Sequence, residues 1–416
     1  MVDALRADHL GVNGYPRPTT PNIDLLASEG TNFTQAFAHS TWTKPSIATL
    51  FTSVYPGQHG LSQVAVDDGK RVGGEVLAGA WVTVAERFQA AGYFTLGIVN
   101  QAHITEPFGF AQGFDHFEAH RGKGAIRLNR RFKRWHNRQH ETPQPLFVYM
   151  HYLDVHWPYI ERVEALEEEL GPLALTSRPP KTGSESVRQW GATLSPEDLA
   201  VLVNRYDHGI AYTDRQIGKL MSMLEEWTLL ENTIVVITAD HGEAFGEHGE
   251  LLHGHAPYEE MIRVPLIFRL PERMRGQART VDKTVGLIDV LPTLLDLAGL
   301  ESEPQARGRS LRPLIRGEEI PARPAFAESE SALAARSFDR KQIQFFDGRA
   351  QHFDLQLDPH ELEPITASCD PSCVELRDQL AAYAEAMEIA RAGIESEVVP
   401  LTDEDLEALR SLGYLD

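Results

Sequence analysis

Short apolar runs rich in β-branched residues alternate along the chain with amphipathic stretches of helical period. Residues 94–99, 146–150 and 234–237 are runs of the kind found in strands that are buried on both faces. Residues 196–227 have the period of a long amphipathic helix, which leads into the third of these strands. Strands that alternate with helices usually form a mostly parallel sheet covered by helices on both faces. The pattern therefore predicts an α/β fold.

The pattern changes near residue 322. Residues 342–346 and 353–355 have the pattern of short strands, with the hairpin signal Asp347-Gly348 between them, and two helical stretches follow. Residues 160–195 are acidic, irregular and contain both proline and glycine. These features predict a large α/β domain over residues 1–321, with a lid or insertion at 160–195, and a small C-terminal α+β subdomain over 322–416.

Length and charge limit the functions that the chain can have. A chain of 416 residues, 42% hydrophobic and 24% charged, has the composition of a soluble globular protein. Its formal net charge of −21 argues against a nucleic-acid partner or a general anionic-membrane surface. An anionic substrate would need a local positive centre, and a bound metal ion can supply one.

Two features of the sequence concern location and redox state. The sequence contains no apolar run of about 18 residues and no signal peptide, which indicates a cytoplasmic chain as it stands. Met1-Val2-Asp3 nevertheless has the character of the end of a strand, so the compartment stays open, as does the oligomeric state. Cys369 and Cys373 are expected either to form a small disulfide or to remain free.

The strongest chemical signal follows the strand at residues 234–237. Asp240 and His241 come at its end, and a glycine-punctuated loop with His248, His253 and His255 follows. Ligands in open α/β folds bind at the carboxyl ends of strands, and Asp and His are ligands that zinc and manganese accept. A lone Asp-His pair is more often a turn, but the added histidines and the polar groups at other strand ends favour a metal site.

Other strands also end in polar residues. Asp3 follows the first apolar residues, Asn100 follows the strand at 94–99, and His156 follows the strand at 146–150. The carboxyl ends of parallel strands meet at one edge of a sheet, so these side chains are expected near Asp240. Taken alone, Asp3 would more commonly be a helix cap. Asn100 is a plausible substrate contact, and His151, within its strand, is expected to be buried structure.

Thr43 lies where a helix is predicted to begin. Pro45 favours the first helical position, which would place Thr43 just before the helix, and Ser46 and the apolar residues 47–51 follow. The N-terminus of a helix can bind phosphate or sulfate through unpaired N–H groups and the positive end of its dipole. The simpler alternative is that Thr43 or Ser46 only caps the helix. A threonine hydroxyl is a weak nucleophile unless a metal ion activates it.

These motifs together resemble the sulfatase family of the alkaline phosphatase superfamily. The resemblance runs nearly from end to end, with its motifs in the family's order. The segments that carry it are 1–14, 41–60, 109–114, 154–159, 238–254, 258–265, 289–294 and 353–361.

The resemblance implies an alkaline-phosphatase-like α/β fold and a hydrolase of sulfate or phosphate esters. It places Asp3, Thr43, Asp240 and His241 at metal-ligand positions and Thr43 at the nucleophile position. Sulfatases carry Cys or Ser there, within Cys/Ser-x-Pro-x-Arg, and oxidise it to formylglycine. Here the segment is Thr43-Lys44-Pro45-Ser46-Ile47, and threonine cannot become that aldehyde. The resemblance therefore predicts no formylglycine and favours phosphate esters over sulfate esters.

The predicted site uses these residues in three roles. Thr43 is the nucleophile, held by a divalent metal, zinc or manganese first and calcium as a further option. His253 lies thirteen residues after Asp240, a spacing similar to that in phosphoethanolamine transferases of the superfamily. With His156, it is expected to act in catalysis or to hold a second ion. Asn100, Lys44 and His255 are the expected substrate contacts.

Two alternatives remain open from the sequence. One is a transferase of the phosphoethanolamine or phosphoglycerol type, although such enzymes are normally membrane-anchored. The other is an inactive sulfatase-like binding protein. The expected substrate is an anionic ester, either a small molecule or one linked to a glycan or lipid, and the resemblance also admits export.

Overall fold

The computed structural model describes residues 1–416 except 62–64, 68–69, 121, 123, 139–143, 181–183, 366–369, 395–396 and 412–416. Cys369 lies outside the described residues. The helices in the described part are α1 Pro21–Ser28, α2 Thr43–Thr52, α3 Pro56–His59, α4 Val84–Ala90, α5 Ala125–Arg138, α6 Glu167–Leu170, α7 Ser184–Gly191, α8 Pro196–Glu226, α9 Glu259–Ile262, α10 Val290–Ala298, α11 Arg312–Arg316, α12 Pro371–Arg391 and α13 Asp403–Ser411.

The first described strand begins at Thr31 and the last ends at Pro400. They are β1 Thr31–Phe33, β2 Ala36–Phe37, β3 Ala65–Asp67, β4 Lys70–Glu75, β5 Phe94–Val99, β6 His116–Ala119, β7 Leu146–His151, β8 Val235–Thr238, β9 Ala244–Phe245, β10 Leu251–Leu252, β11 Leu266–Arg269, β12 Arg279–Val281, β13 Val285–Gly286, β14 Ala325–Glu328, β15 Ala332–Arg336, β16 Arg340–Phe345, β17 Ala350–Asp354 and β18 Val398–Pro400. No described helix is both long and apolar enough to cross a bilayer.

The central sheet consists of two parts joined by the first residues of the chain. One part has the order β6-β5-β7 and is parallel throughout, and the other has the order β12-β1-β11-β8. Val2 forms a parallel bridge with Tyr152, and its amide donates to the carbonyl of Thr238 at 2.9 Å. The ends of β7 and β8 therefore lie on either side of Asp3.

The predicted α/β fold with a mostly parallel sheet is confirmed, with one local difference. Strand β11 runs antiparallel to both β8 and β1, and Leu266 pairs with Thr238. The loop over residues 239–265 leaves β8 and enters β11 at the same edge of the sheet, so β11 must run in the opposite direction. That loop carries most of the candidate site.

Helices cover the central sheet, as the apolar strands require. Helix α5 packs against α8 and β5, whereas α2 packs against α4 and α10. Helix α8 begins cleanly because Ser195 accepts a hydrogen bond from the amide of Asp198 and Pro196 occupies the first turn. The core between these layers includes fully buried aromatic side chains, among them Phe51, Phe110 and Phe268.

One predicted helix start was wrong, and a second helix starts later than its apolar stretch. Helix α2 begins at Thr43 itself, with Pro45 in the third position, so Thr43 belongs to the first turn. The stretch from Val285 begins as a short strand and a 3-10 turn, and α10 starts only at Val290.

The C-terminal part contains a four-stranded antiparallel sheet in the order β14-β15-β16-β17. Helix α12 covers one face, where Leu376 and Leu380 pack with Leu333 and Ala335. Glu328 at the end of β14 links this unit to the large part, because it accepts hydrogen bonds from the amide of Gly57 and the hydroxyl of Tyr383. The boundary between residues 321 and 322 stays a prediction.

Candidate metal and nucleophile site

Two carboxylates and one imidazole meet at the carboxyl edge of the central sheet. Asp3 follows Val2, which pairs with Tyr152 after β7, and Asp240 and His241 come shortly after the end of β8. One ligand atom from each of the three lies within 4.8 Å of the others, and all three side chains are fully buried. His241 Nε2 is 3.9 Å from Asp3 Oδ1 and 3.6 Å from Asp240 Oδ2. The sequence prediction that these residues lie together agrees with this geometry.

Each carboxylate has one oxygen engaged by the protein and one directed into the group. Asp3 Oδ2 accepts hydrogen bonds from Gln101 Nε2 at 2.7 Å and His151 Nε2 at 2.9 Å. Asp240 Oδ1 accepts from the amides of Ala4 and His241, each at 3.1 Å. Asp3 Oδ1 and Asp240 Oδ2 are buried and have no hydrogen-bond partner. Buried oxygens of this kind fit a divalent cation, which would satisfy both.

The orientation of His241 fits the same role. Its Nδ1 donates to the carbonyl of Gly242 at 2.8 Å, so the tautomer leaves the lone pair of Nε2 directed toward the two aspartates. Glycine is needed at position 242 because a Cβ there would overlap the carbonyl oxygen of Glu260. Two carboxylates and one neutral imidazole form a donor set that zinc and manganese both accept.

The pKa values of the three side chains are shifted because they lie close together and out of water. Burial and the neighbouring charge of Asp3 raise the pKa of Asp240 above its ordinary value. Burial would also raise the pKa of Asp3, but the hydrogen bond from His151 and the nearby His156 and His241 lower it overall. Burial opposes the charged form of His241, yet the two aspartates raise its pKa. Like charges held this close out of water favour a bound cation.

Thr43 lies beside this group at the start of α2. Its Oγ1 is 3.2 Å from His241 Nε2, and the side chain is buried. Ser46 Oγ donates to the carbonyl of Asp240 at 2.5 Å and so ties the first turn of α2 to the end of β8. The hydroxyl of Thr43 therefore points at the space shared by the ligand atoms, and the helix N-terminus faces the same region.

His253 and His156 complete the surroundings of the group. The ring of His253 stacks on that of His241 at 4.3 Å and lies 4.9 Å from the ring of His156. His253 Nδ1 donates to Glu243 Oε1 at 2.9 Å, and His156 Nδ1 donates to the carbonyl of Trp157 at 2.6 Å. Burial lowers the pKa of His156 to about 4 and also lowers that of His253, so both rings are neutral near pH 7.

Of the three expected substrate contacts, Asn100 has the environment that such a contact requires. It is fully buried at the end of β5, its amide donates to the carbonyl of His151, and both polar atoms of its side chain lack a hydrogen-bond partner. An unsatisfied buried carboxamide is costly to leave without a ligand.

The contacts of Lys44 and His255 lie elsewhere. Lys44 Nζ donates to the carbonyl of Glu75 at 3.2 Å and lies 4.0 Å from the ring centre of Phe108, and burial lowers its pKa to about 8. His255 Nε2 donates to the carbonyl of Leu251 at 2.7 Å. Both side chains therefore donate to backbone carbonyls, and neither is among the three residues whose ligand atoms lie within 4.8 Å of one another, so their role as substrate contacts stays a prediction.

The segment at residues 160–195 reaches the site through α7. Arg188 Nη2 donates to the carbonyl of His253 at 3.4 Å. The ring centres of Trp190 and Trp157 are 6.3 Å apart. The amide of Val163 donates to His208 Nδ1 of α8 at 3.0 Å. The segment thus packs beside His253, and its role as a lid stays a prediction.

Sequence reasoning missed the residues that orient the ligands. His151, expected to be buried structure, is buried and also contacts Asp3, and Tyr149 donates to its Nδ1 at 2.8 Å. Gln101 and Glu243 were given no role, although Gln101 directly follows Asn100 and Glu243 lies two residues after His241. Tyr149 and His151 lie two apart on β7 and so face the same side, which is the signal that could have identified them.

The contact between His151 and Asp3 allows a direct test of the ligand group. We expect His151→Phe to weaken Zn²⁺ binding by about 10–100-fold, because the substitution releases the carboxylate that His151 holds. Tyr149→Phe is the matched control, since it retains the contact with Asp3 and should have a smaller effect. Competition titration against a chelating dye measures both. Equal affinities in wild type and His151→Phe would contradict this role.

The fold and this buried strand-end group define an ester hydrolase of the alkaline-phosphatase-like α/β class. The chain belongs to the sulfatase family: the family model described as "Sulfatase" matches residues 1–300. A second model, described as "N-sulphoglucosamine sulphohydrolase, C-terminal", matches residues 246–388.

The relatives and structures agree with this assignment. The chain is 26% identical to an arylsulfatase of Clostridium perfringens, over 88% of this chain and 89% of the relative. A putative sulfatase of Bacteroides thetaiotaomicron has a similar structure, with a TM-score of 0.76 at 20% identity, covering 96% of this chain and 94% of that one. A phosphonate monoester hydrolase of Agrobacterium radiobacter is similar at a TM-score of 0.72 and 20% identity, with 97% of each chain covered.

Proposed function

We propose that this chain is a metal-dependent hydrolase that uses Thr43 as its nucleophile and prefers phosphate-type esters to sulfate esters. One observation carries the proposal: Thr43 Oγ1 lies 3.2 Å from His241 Nε2, beside the unpartnered oxygens of Asp3 and Asp240. These four residues would hold one divalent ion, with zinc or manganese favoured and calcium as a further option. His156 and His253 would contact a second ion or the substrate anion.

The bound ion would supply Lewis acidity and make the Thr43 hydroxyl easier to ionise. Thr43 Oγ1 then attacks phosphorus in line with the ester oxygen, so a bond from Thr43 to phosphorus forms as the bond to the alcohol breaks. The N–H groups at the start of α2 face the charge on the non-bridging oxygens. Water subsequently displaces Thr43 and releases the product anion.

The neighbouring histidines suit the proton transfers. His253 Nδ1 donates to Glu243, and His156 Nδ1 donates to Trp157, so Nε2 is the basic nitrogen in each ring. Their lowered pKa makes these rings weak bases, so a ring would accept the proton from Thr43 only when the bound ion also lowers the pKa of that hydroxyl, and it would return the proton to the leaving alcohol. If a second ion is bound, Nε2 of either ring would be its ligand. A ring whose Nε2 binds a metal ion cannot also transfer the proton.

The nature of residue 43 supports a phosphorus ester as substrate. Threonine cannot form the formylglycine aldehyde, so we propose that this chain contains no such group and attacks as an alkoxide. The structural similarity to a phosphonate monoester hydrolase supports a phosphorus ester as substrate. The similarity to an arylsulfatase is the reason to assay sulfate esters as well. The substrate would be an anionic ester, either a small molecule or one linked to a glycan or lipid.

Parallel assays of four ester classes test the proposal. Purified protein is stripped with a chelator, reloaded with Zn²⁺, Mn²⁺ or Ca²⁺, and given aryl sulfates, phosphate monoesters, phosphate diesters and phosphonate monoesters. We expect turnover only after reloading, with a phosphorus ester as the best substrate. Full activity in the stripped protein, or turnover of sulfate esters alone, would contradict the proposal.

A further inference from the structure

A fully buried lysine lies where the C-terminal sheet meets the large part of the chain. Lys341 of β16 has no exposed surface, and its Nζ is 2.9 Å from Glu361 Oε1 and 3.3 Å from Glu259 Oε1. Arg336 of β15 pairs with Lys341 across the sheet, and its Nε lies 3.4 Å from the same oxygen of Glu259. These two cations and two carboxylates form one largely buried group, the Lys341 cluster, in which the charges balance.

The Lys341 cluster is stable only when it is complete. An ionised side chain out of water needs a partner of opposite charge, and removing one member leaves another uncompensated. Burial opposes the charged form of Glu259, yet Arg336, Lys341 and Arg263 lower its pKa to about 2. Burial raises the pKa of Glu361 to about 7, although Lys341 acts to lower it. The charge of Glu361 therefore depends on Lys341.

The cluster holds the start of helix α9. Glu259 is the first residue of α9, and its amide donates to Glu361 Oε2 at 2.6 Å. His248 adds a further contact, since its Nδ1 is 2.6 Å from Glu260 Oε1 and its Nε2 is 3.1 Å from the carbonyl oxygen of Glu361. Residues of the C-terminal part thus fix both the backbone and the side chain of Glu259.

Helix α9 in turn holds the backbone that follows His241. The amide of Gly242 donates to the carbonyl of Met261 at 2.7 Å, and the amide of Glu243 donates to the carbonyl of Glu260 at 3.0 Å. The carbonyl of Gly242 accepts the hydrogen bond from His241 Nδ1, so the position of Gly242 sets the direction of the imidazole. A shift of α9 would therefore move the imidazole as well.

We propose that Lys341 and Glu361 are positioning residues for the metal site, because they hold α9 and α9 holds the backbone beside His241. The inference rests on the metal site of the proposed function, to which it assigns a support in the C-terminal part of the chain. Both residues act through α9, so their effect is on the direction in which His241 presents Nε2 to the ion.

Lys341→Met tests the cluster, because it removes one charge and keeps most of the volume of the side chain. We expect it to weaken Zn²⁺ binding by about tenfold, measured by competition with a chelating dye. In metal-free protein, hydrogen exchange over residues 240–245 should become faster by at least about fivefold, since the amides of Gly242 and Glu243 lose their fixed acceptors.

Glu361→Gln is the second variant. Combined with Lys341→Met, it leaves one carboxylate and one guanidinium, so the double variant should return to within about threefold of wild type in both measurements. Alone, it keeps an oxygen for the amide of Glu259 and is the milder change. We expect the single variant to weaken Zn²⁺ binding by about threefold, which keeps the test valid if Lys341→Met does not fold.

Leu376→Ala is the matched control for a loss of stability. Leu376 of α12 packs with Leu333 and Ala335 on the face of the C-terminal sheet opposite to Lys341. Truncating this buried side chain leaves a cavity and should lower Tm, as Lys341→Met does. We expect Zn²⁺ affinity and exchange over residues 240–245 to change in Lys341→Met and to stay at the wild-type values in Leu376→Ala.

Equal Zn²⁺ affinity and equal exchange in Lys341→Met and Leu376→Ala would overturn the proposal. A double variant as impaired as Lys341→Met would also overturn it, because the balance of charge would then not be what holds α9. The exchange measurements use metal-free protein, so they decide the inference by themselves. A wild-type protein that binds no Zn²⁺, Mn²⁺ or Ca²⁺ would instead contradict the proposed hydrolase function.

Discussion

Replacing Thr43 by alanine is expected to lower turnover of the best ester by about 10⁴-fold or more. The substitution removes the oxygen that lies 3.2 Å from His241 Nε2 and leaves no other hydroxyl of α2 directed at the ligand group. Ser46, the nearest candidate, donates to the carbonyl of Asp240 instead. Alanine suits the first turn of a helix, so the fold should be kept. Initial rates of metal-loaded protein, with far-ultraviolet circular dichroism for folding, measure the effect.

Thr43→Ser is the matched control for this experiment. It keeps a hydroxyl at the same position and should retain turnover within about tenfold of wild type, since only a methyl group is lost. A Thr43→Ala protein with turnover comparable to that of Thr43→Ser would show that another group attacks the substrate. The proposed mechanism would then be wrong, although the metal site would remain.

Asp240→Asn is expected to change stability in opposite directions with and without metal. In metal-free protein, Asp240 and Asp3 are two buried acids within the same group, and removing one charge should raise Tm. With metal, the loss of a charged ligand should weaken binding by about 100-fold or more. Wild type should gain about 5 °C in Tm at saturating Zn²⁺, and the variant should lose most of that gain.

Thermal unfolding at several Zn²⁺ concentrations measures both effects. Asp347→Asn is the control, because it removes an exposed carboxylate from the hairpin between β16 and β17 and should change neither value. If Asp240→Asn lowered Tm in metal-free protein and kept the full gain with Zn²⁺, the ligand group would not be where we place it.

The sequence predicted the fold and the meeting of the strand ends because both depend on local patterns. Apolar runs predicted β5, β7 and β8, and the rule that parallel strands share a carboxyl edge brought Asp3, Asn100 and Asp240 together. The antiparallel direction of β11 was not visible, because it depends on where the loop over 239–265 returns to the sheet. No periodic signal encodes the path of a loop.

The finer parts of the site depend on side-chain directions that no spacing reveals. Lys44 follows Thr43 in sequence, yet on a helix neighbouring residues point about 100° apart, so its ammonium reaches Glu75 instead. His255 lies in the loop over residues 239–265, where its ring donates to the carbonyl of Leu251. Gln101 became identifiable as a hydrogen-bond partner of Asp3 only when the tertiary contacts were known.

Mass spectrometry of protein quenched during turnover tests the central claim most directly. Metal-loaded protein is mixed with its best ester, stopped with acid and digested, and the peptide that contains residue 43 is sequenced. We predict a phosphorus-containing group on Thr43, absent from stripped protein, and an otherwise unmodified threonine. A covalent group on another residue, or turnover that leaves Thr43 unlabelled under conditions that trap the intermediate, would contradict the account.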